Sequence, residues 1–202
     1  MPYTEMDTIT SSKLILISER ARNDPKFQFT SFAHLQNEGF LKECYYELGR
    51  DRASGIDGVS WKEYGENLDD NISNLVSRLK AKRYLPLPAK RIYVPKNEHE
   101  DRPLCLPALE DKIVQKGVAR ILEAIYEQDF LNCSYGYRPH RSCHQALNVV
   151  DKTMMKRPIH YVVEADIKRF FDTVSHSWMV TRYLSLASFT TCIHCRSIRE
   201  FY

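Results

Sequence analysis

The stretch Val162-Val163-Glu164-Ala165-Asp166-Ile167-Lys168-Arg169-Phe170-Phe171-Asp172 places a carboxylate directly after an apolar, β-branched run. Such a run reads as a strand, and a strand end holds its side chain rigidly. A carboxylate held in this way suits nucleotidyl transfer, where two Mg²⁺ ions clamp the attacking and leaving oxygens. Phe171, five residues on, would then form a floor beneath an incoming sugar. Alone, a strand-end aspartate reads more simply as a turn or cap residue, so Asp166 needs company before it carries chemistry. Ile92-Tyr93-Val94-Pro95-Lys96 and Arg102-Pro103-Leu104 would set two cations, Lys96 and Arg102, on one hairpin over a triphosphate, unless both are ordinary surface charges. Ser134-Tyr135-Gly136-Tyr137-Arg138-Pro139-His140-Arg141-Ser142 interleaves aromatics with Arg138 and Arg141. That composition suits close approach to a nucleic-acid strand and also occurs in packed loops.

The elements that must position these residues follow from periodicity. Leu68, Ile72, Leu75, Val76 and Leu79 form one helical stripe, with Pro86 and Pro88 beyond its end. Leu68-Asp69-Asp70 opens that helix and reads as a solvated acidic turn. Val114, Val118, Ile121, Leu122 and Ile125 form a second stripe, predicting a helix over roughly 110–127. A looser apolar side predicts a helix over 31–48 that stops at Gly49, and Gln145–Met155 reads as another helix. Arg91–Val94 reads as a strand stopped by Pro95, with Leu104–Leu106 as its hairpin partner. His160–Ala165 reads as a further strand, and Ser175 as the N-cap of a helix over 175–184. Two glycines within four residues make Ser54–Gly58 a loop. Residues 1–30 are a polar leader with a turn at Asn23-Asp24-Pro25.

A hydrophobic fraction of 43% over 202 residues allows one ordinary core. The net charge of +3 identifies no partner, but its distribution is uneven. Residues 42–70 hold eight acidic and four basic side chains, whereas 71–97 hold seven basic ones and no acidic one. Arg78, Lys82, Arg83 and Arg91 belong to that basic run. A field of one sign suits a polyanion, although a solvated helix face has the same composition. The six cysteines show no disulfide framework, and Cys192-x-x-Cys195 lacks the second pair that a zinc site needs. Leu14–Ile17 is too short to span a membrane, and no cleavage pattern follows it. A reduced, cytoplasmic protein is expected.

Taken in order, the motifs resemble one family. Gly55-Ile56-Asp57-Gly58-Val59, Tyr84-Leu85-Pro86, Ile92–Lys96 and Arg102-Pro103-Leu104-Cys105-Leu106-Pro107 are similar to the fingers of group II intron reverse transcriptases. Asp111-Lys112-Ile113-Val114-Gln115, Leu122–Glu127 and Ser134–Pro139 continue the likeness, and Asp166–His176 is similar to the first palm motif. The resemblance implies an α+β, right-hand polymerase fold, with fingers over 31–157, the start of the palm over 158–184 and an aberrant tail over 185–202. It implies that Asp166 is a catalytic carboxylate, with the Ile167 carbonyl as a second Mg²⁺ ligand. By the same match Lys96, Arg102 and Phe171 contact a deoxynucleotide triphosphate, Phe171 at the sugar, and Asp172 is structural. The implied activity is RNA-directed DNA synthesis, with intron RNA or an RNA template-primer as partner.

Three departures stand out. The hairpin turn reads Asn97-Glu98-His99-Glu100-Asp101, acidic where the family carries Gly-Lys, and Cys105 stands where a small residue is expected. Tyr-x-Asp-Asp, which supplies further palm carboxylates, does not occur in the 202 residues. The expectation is a truncated enzyme, inactive alone, unless another chain supplies the missing palm. Alternatives are an RNA-binding fingers module without catalysis, a retron-type reverse transcriptase fragment, or a relic that folds poorly. Gly55-Ile56-Asp57-Gly58 favours the intron type over the retron type.

Overall fold

The computed structural model describes residues 6–179, apart from 25, 26, 28, 30, 31, 98, 99, 168 and 169. Its elements in chain order are α1 (Met6–Asn23), a 3₁₀ turn (Ala33–Leu35), α2 (Glu38–Glu47), α3 (Trp61–Glu66) and α4 (Leu68–Lys80). There follow β1 (Lys90–Asn97), β2 (Glu100–Leu106), α5 (Leu109–Tyr126), α6 (Cys143–Lys156) and the short α7 (Phe170–Thr173). Helices and a two-stranded antiparallel sheet give the expected α+β class. No helix among the described residues is long and apolar enough to cross a membrane.

The core is helical. α5 packs on α1 and α2, and α2 also packs on α4. Of the stripes foreseen, Ile72, Leu75, Val76 and Leu79 of α4 and Val114 and Ile121 of α5 are buried around Phe40, Leu41 and Cys44 of α2, while Val118, Leu122 and Ile125 are half-buried and Ile113, outside the stripe, joins the core. Each large apolar side chain buried there is worth about 1.5–3 kcal/mol. Gly117 lets α2 come close to α5, since a Cβ there would lie 3.3 Å from Phe40 Cε1 and 3.4 Å from Leu41 Cδ2. Burial pushes the Cys44 thiol up to about 11 despite the neighbouring Arg120 guanidinium. Tyr45 stacks on Trp61 with centroids 4.6 Å apart. Its hydroxyl donates to the Trp61 carbonyl at 2.7 Å, and the Trp61 indole N–H donates back to the Tyr45 carbonyl at 3.0 Å. That exchange fixes the loop between α2 and α3.

Local chemistry sets the helix starts. Asn37 accepts from the Phe40 amide and Ser60 from the Glu63 amide. Ser142 and Gln145 form a reciprocal capping box at α6. Ser175 accepts from the Trp178 amide at 3.3 Å, as expected of an N-cap. At Gly55 a Cβ would lie 2.6 Å from the Ala108 backbone, so this loop residue is a close-packing point under the hairpin.

Four expectations need correction. The polar leader contains α1, whose Leu14 and Ile17 pack against the core. The helix expected over 31–48 starts only at Glu38, because Asn37 caps it. Pro95 does not stop β1: the strand runs on to Asn97 with a register shift between 95 and 97. In a two-stranded sheet every strand is an edge, so the missing proline N–H can face outward. Residues 158–167 form neither helix nor strand, so the strand expected over His160–Ala165 is absent. β-branched content favours an extended chain, but a strand also needs a paired neighbour, and no other strand among the described residues lies beside this segment. Residues 180–202, with Cys192, Cys195 and most of the helix expected over 175–184, lie outside the described residues, as do Glu98, His99, Lys168 and Arg169.

Candidate nucleic-acid interface

The base of the hairpin is tied to the core by the first turn of α5. Glu110 accepts from both Tyr64 Oη, at 3.3 Å, and Arg78, at 2.7 and 2.8 Å. Asp111, 3% exposed, accepts from the Tyr84 hydroxyl and, at 3.1 Å, from the Leu87 amide. Carboxylates suit the first turn of a helix, where unpaired N–H groups and the dipole favour negative charge. Burial still raises the Asp111 carboxyl above its ordinary range, against the hydrogen bonds from Tyr84 and Leu87. Burial likewise raises the Tyr64 and Tyr84 hydroxyls, which keeps both neutral donors. Lys112 donates to the Ala53 carbonyl at 2.6 Å and so joins α5 to the Gly55 loop.

The basic run divides into tied and open charges. Arg78 forms an ion pair with Glu110 at 2.7 Å and also donates to Asn74. Lys82, Arg83 and Arg91 are exposed. α4 ends in a Schellman motif: the Arg83 amide bonds the Arg78 carbonyl at 2.9 Å and the Lys82 amide bonds the Leu79 carbonyl at 3.1 Å. Lys82 occupies its left-handed position, at φ 55°, where glycine is the least strained residue. On the hairpin, Arg102 pairs across from Val94, so the two share a face, while Arg91 pairs across from Cys105 on the other. Arg102 is exposed, and Lys96 lies at the register shift, its side chain outside the described ones.

Arg138 proves to be internal wiring of the loop. Its guanidinium grips Glu127 at 2.7–3.2 Å and donates to the carbonyls of Leu131 and Ser134 at 2.8 and 2.9 Å. It also lies over the Phe130 ring, and its side chain is only 6% exposed. The bond from Arg138 holds the Glu127 carboxyl below its ordinary range. Arg141 lies over the Tyr135 ring, 5.5 Å from its centroid, and contacts Asn132. The residues that sequence reasoning missed are the partners: Glu127, Glu110, Asp111 and Tyr84. Tyr84, Asp111 and Glu127 were hinted at only by their place in family motifs, and Glu110 by nothing; nothing in composition paired Arg78 with a residue 32 positions on.

Asp166 and Ile167 are exposed. Phe171 lies in α7, with its side chain outside the described ones. Among the described residues no three His, Cys, Asp or Glu side chains are grouped to hold a metal ion. One exposed carboxylate and one carbonyl do not make a two-ion clamp. The described residues therefore do not fit a complete Mg²⁺ centre, and no catalytic step is derived through one.

Comparison with known proteins agrees with the motif order. The family model for reverse transcriptase (RNA-dependent DNA polymerase) matches residues 94–202. The chain is 38% identical over 173 residues to the group II intron-encoded protein LtrA of Lactococcus lactis subsp. cremoris, covering 85% of this chain and 28% of that protein. It is 38% identical over 145 residues to protein YkfC of Escherichia coli, covering 69% of this chain and 38% of that one. A 91 kDa protein of a cob intron in Schizosaccharomyces pombe is 35% identical over 172 residues, covering 84% and 21%. The chain thus spans between about a fifth and two fifths of the length of these relatives. It belongs to the reverse transcriptase family, and within it to the group II intron-encoded type.

Proposed function

We propose that these residues are the RNA-gripping fingers of a group II intron-type reverse transcriptase, with fingers over 31–157 and the palm beginning at 158. The observation that carries this reading is the run of exposed cations Lys82, Arg83 and Arg91 on a rigid helix end and hairpin base. Such a surface binds the phosphate backbone of any sequence by releasing counterions. Lys96, Arg102 and Phe171 would meet the deoxynucleotide triphosphate and Asp166 with the Ile167 carbonyl would hold Mg²⁺ once further palm carboxylates are supplied. Arg138 serves the surface by holding its loop, while Arg78 and Arg141 contribute at its margin.

Filter binding of a structured RNA across a salt series tests the reading. Affinity is expected to fall steeply and linearly on logarithmic axes, by about 10³-fold or more between 50 and 200 mM salt if six phosphates are met. Reversing Lys82, Arg83 and Arg91 to glutamate should weaken binding for all sequences alike. Affinity that ignores salt would sink the proposal. In the same preparation, primed template, Mg²⁺ and four nucleotides should give no extension, because Tyr-x-Asp-Asp is not among the 202 residues. Extension abolished by Asp166→Ala would refute that part.

Lys82 allows a separate test of stability against binding. Lys82→Gly relieves a left-handed lysine and should raise unfolding free energy by about 0.5–1 kcal/mol, while lowering the salt slope by about one. Thermal melts and the salt series measure the two effects independently. Loss of both stability and affinity would mean that Lys82 is a structural residue.

A further inference from the structure

The loop between α5 and α6 presents one ring to solvent in an unusual way. Tyr137 is 104% exposed relative to a free side chain. Its backbone lies at φ 56°, in the left-handed region that a bulky residue seldom adopts. The next residue fixes this conformation: Arg138 is tied to Glu127 and to two carbonyls of the same loop, with its side chain nearly buried. The ring therefore contributes no packing to the fold, yet it sits on a firmly held mount. One acidic group of the loop, Glu127, is neutralised by Arg138. Arg141 brings a second cation, laid over Tyr135. A bare π-face on a held backbone, in a loop that also carries Arg141, suits base stacking.

We propose that Tyr137 is a stacking platform for an unpaired base of the bound RNA strand. This deepens the RNA-binding reading and rests on it. Stacking is tolerant of sequence because every base has a π-face, so the ring selects single-stranded over paired RNA and not one base over another. The loop's role is then mechanical: Arg138 and Glu127 hold the backbone so that the ring needs no ordering when the strand arrives.

The test uses the full chain, a single-stranded RNA of about twelve nucleotides carrying 2-aminopurine, and a duplex of the same sequence. Tyr137→Asn removes the ring while keeping a residue that tolerates left-handed backbone, and its melting curve should match the parent. It should weaken single-strand binding by about tenfold and abolish the fluorescence quenching of 2-aminopurine, while duplex affinity and the salt slope stay unchanged. Tyr137→Phe should keep both affinity and quenching. An asparagine variant that binds the single strand as tightly as the parent overturns the platform alone. So does an equal loss on single strand and duplex. A parent chain that binds neither RNA at any salt overturns the platform together with the RNA-binding reading.

Discussion

Asp111→Ala should cost about 2–4 kcal/mol of stability, because it strands a buried hydroxyl and removes the acceptor of a partly buried amide. The Tyr84 hydroxyl and the Leu87 amide both end on this carboxylate, which is 3% exposed. The buried Tyr84 hydroxyl, left without an acceptor, keeps its desolvation cost of about 1–3 kcal/mol, while the partly exposed Leu87 amide loses only its hydrogen bond. A domain of this size has only about 5–15 kcal/mol in total, so the melting temperature should fall by about 10 °C or more. Asp111→Asn keeps one acceptor for the Leu87 amide and can donate to the Tyr84 oxygen, so its loss should be under about half as large. Tyr84→Phe should cost about 1–2 kcal/mol, and the double variant should show strong non-additivity. Denaturant melts of the four proteins decide the matter. An alanine variant as stable as the parent would show that water replaces the carboxylate and that the hairpin base is not anchored there.

The two loop-holding carboxylates respond to acid in opposite senses. Asp111 is raised by burial, so the folded state binds its proton more readily than the unfolded chain. Its contribution is largest below the ordinary carboxylate range and falls as pH rises through the raised folded value. Glu127 is lowered by the Arg138 fork. Its contribution is complete above the unfolded value and is lost as pH falls through the lowered folded one. Acid therefore loosens the 127–138 loop before it disturbs the α5 anchor.

How much of this was legible depended on whether a residue's partner was near in sequence. α4 and α5 could be read because a buried face repeats every three or four residues, and Ile72, Leu75 and Ile121 of those stripes are fully buried. α1 could not, because Ile15 and Leu16 point to solvent and, among its described side chains, only Leu14 and Ile17 pack against the core cluster. Arg78 and Arg138 read as RNA contacts beside Lys82 and Arg141, with no sign of the carboxylates that pair with them. Their carboxylates lie 32 and 11 residues away, across a turn of fold that composition does not encode. Pro95 was expected to stop a strand on local grounds, whereas the hairpin's outward edge tolerates it. The candidate residues Asp166, Lys96 and Arg102 come from motif order, which gives position along the chain and leaves their meeting in space open.

The segment that carries Asp166 should show the fastest amide exchange of the described chain outside its N-terminal loops. Tyr161, Val162 and Val163 are 90%, 74% and 89% exposed, so nothing apolar covers them. Residues 158–167 lie in no helix or strand, and no other strand among the described residues is there to take their amides. Their amides should exchange near the unstructured rate. α5 is the opposite case: its amides are helical and its inner face is buried against α1 and α2, so their opening requires unfolding of the core. With a global stability of even about 5 kcal/mol, protection across the middle of α5 should exceed that at 158–167 by about 10³-fold or more. α6 should fall between, since its capping box secures one end while no side chain of the helix is fully buried. Hydrogen–deuterium exchange read by mass spectrometry on a monomeric sample measures all three. Slow exchange at Val162–Asp166 in that monomer would mean that this segment pairs with another part of this chain, and the picture of a compact helical core beside an uncovered segment would have to be abandoned.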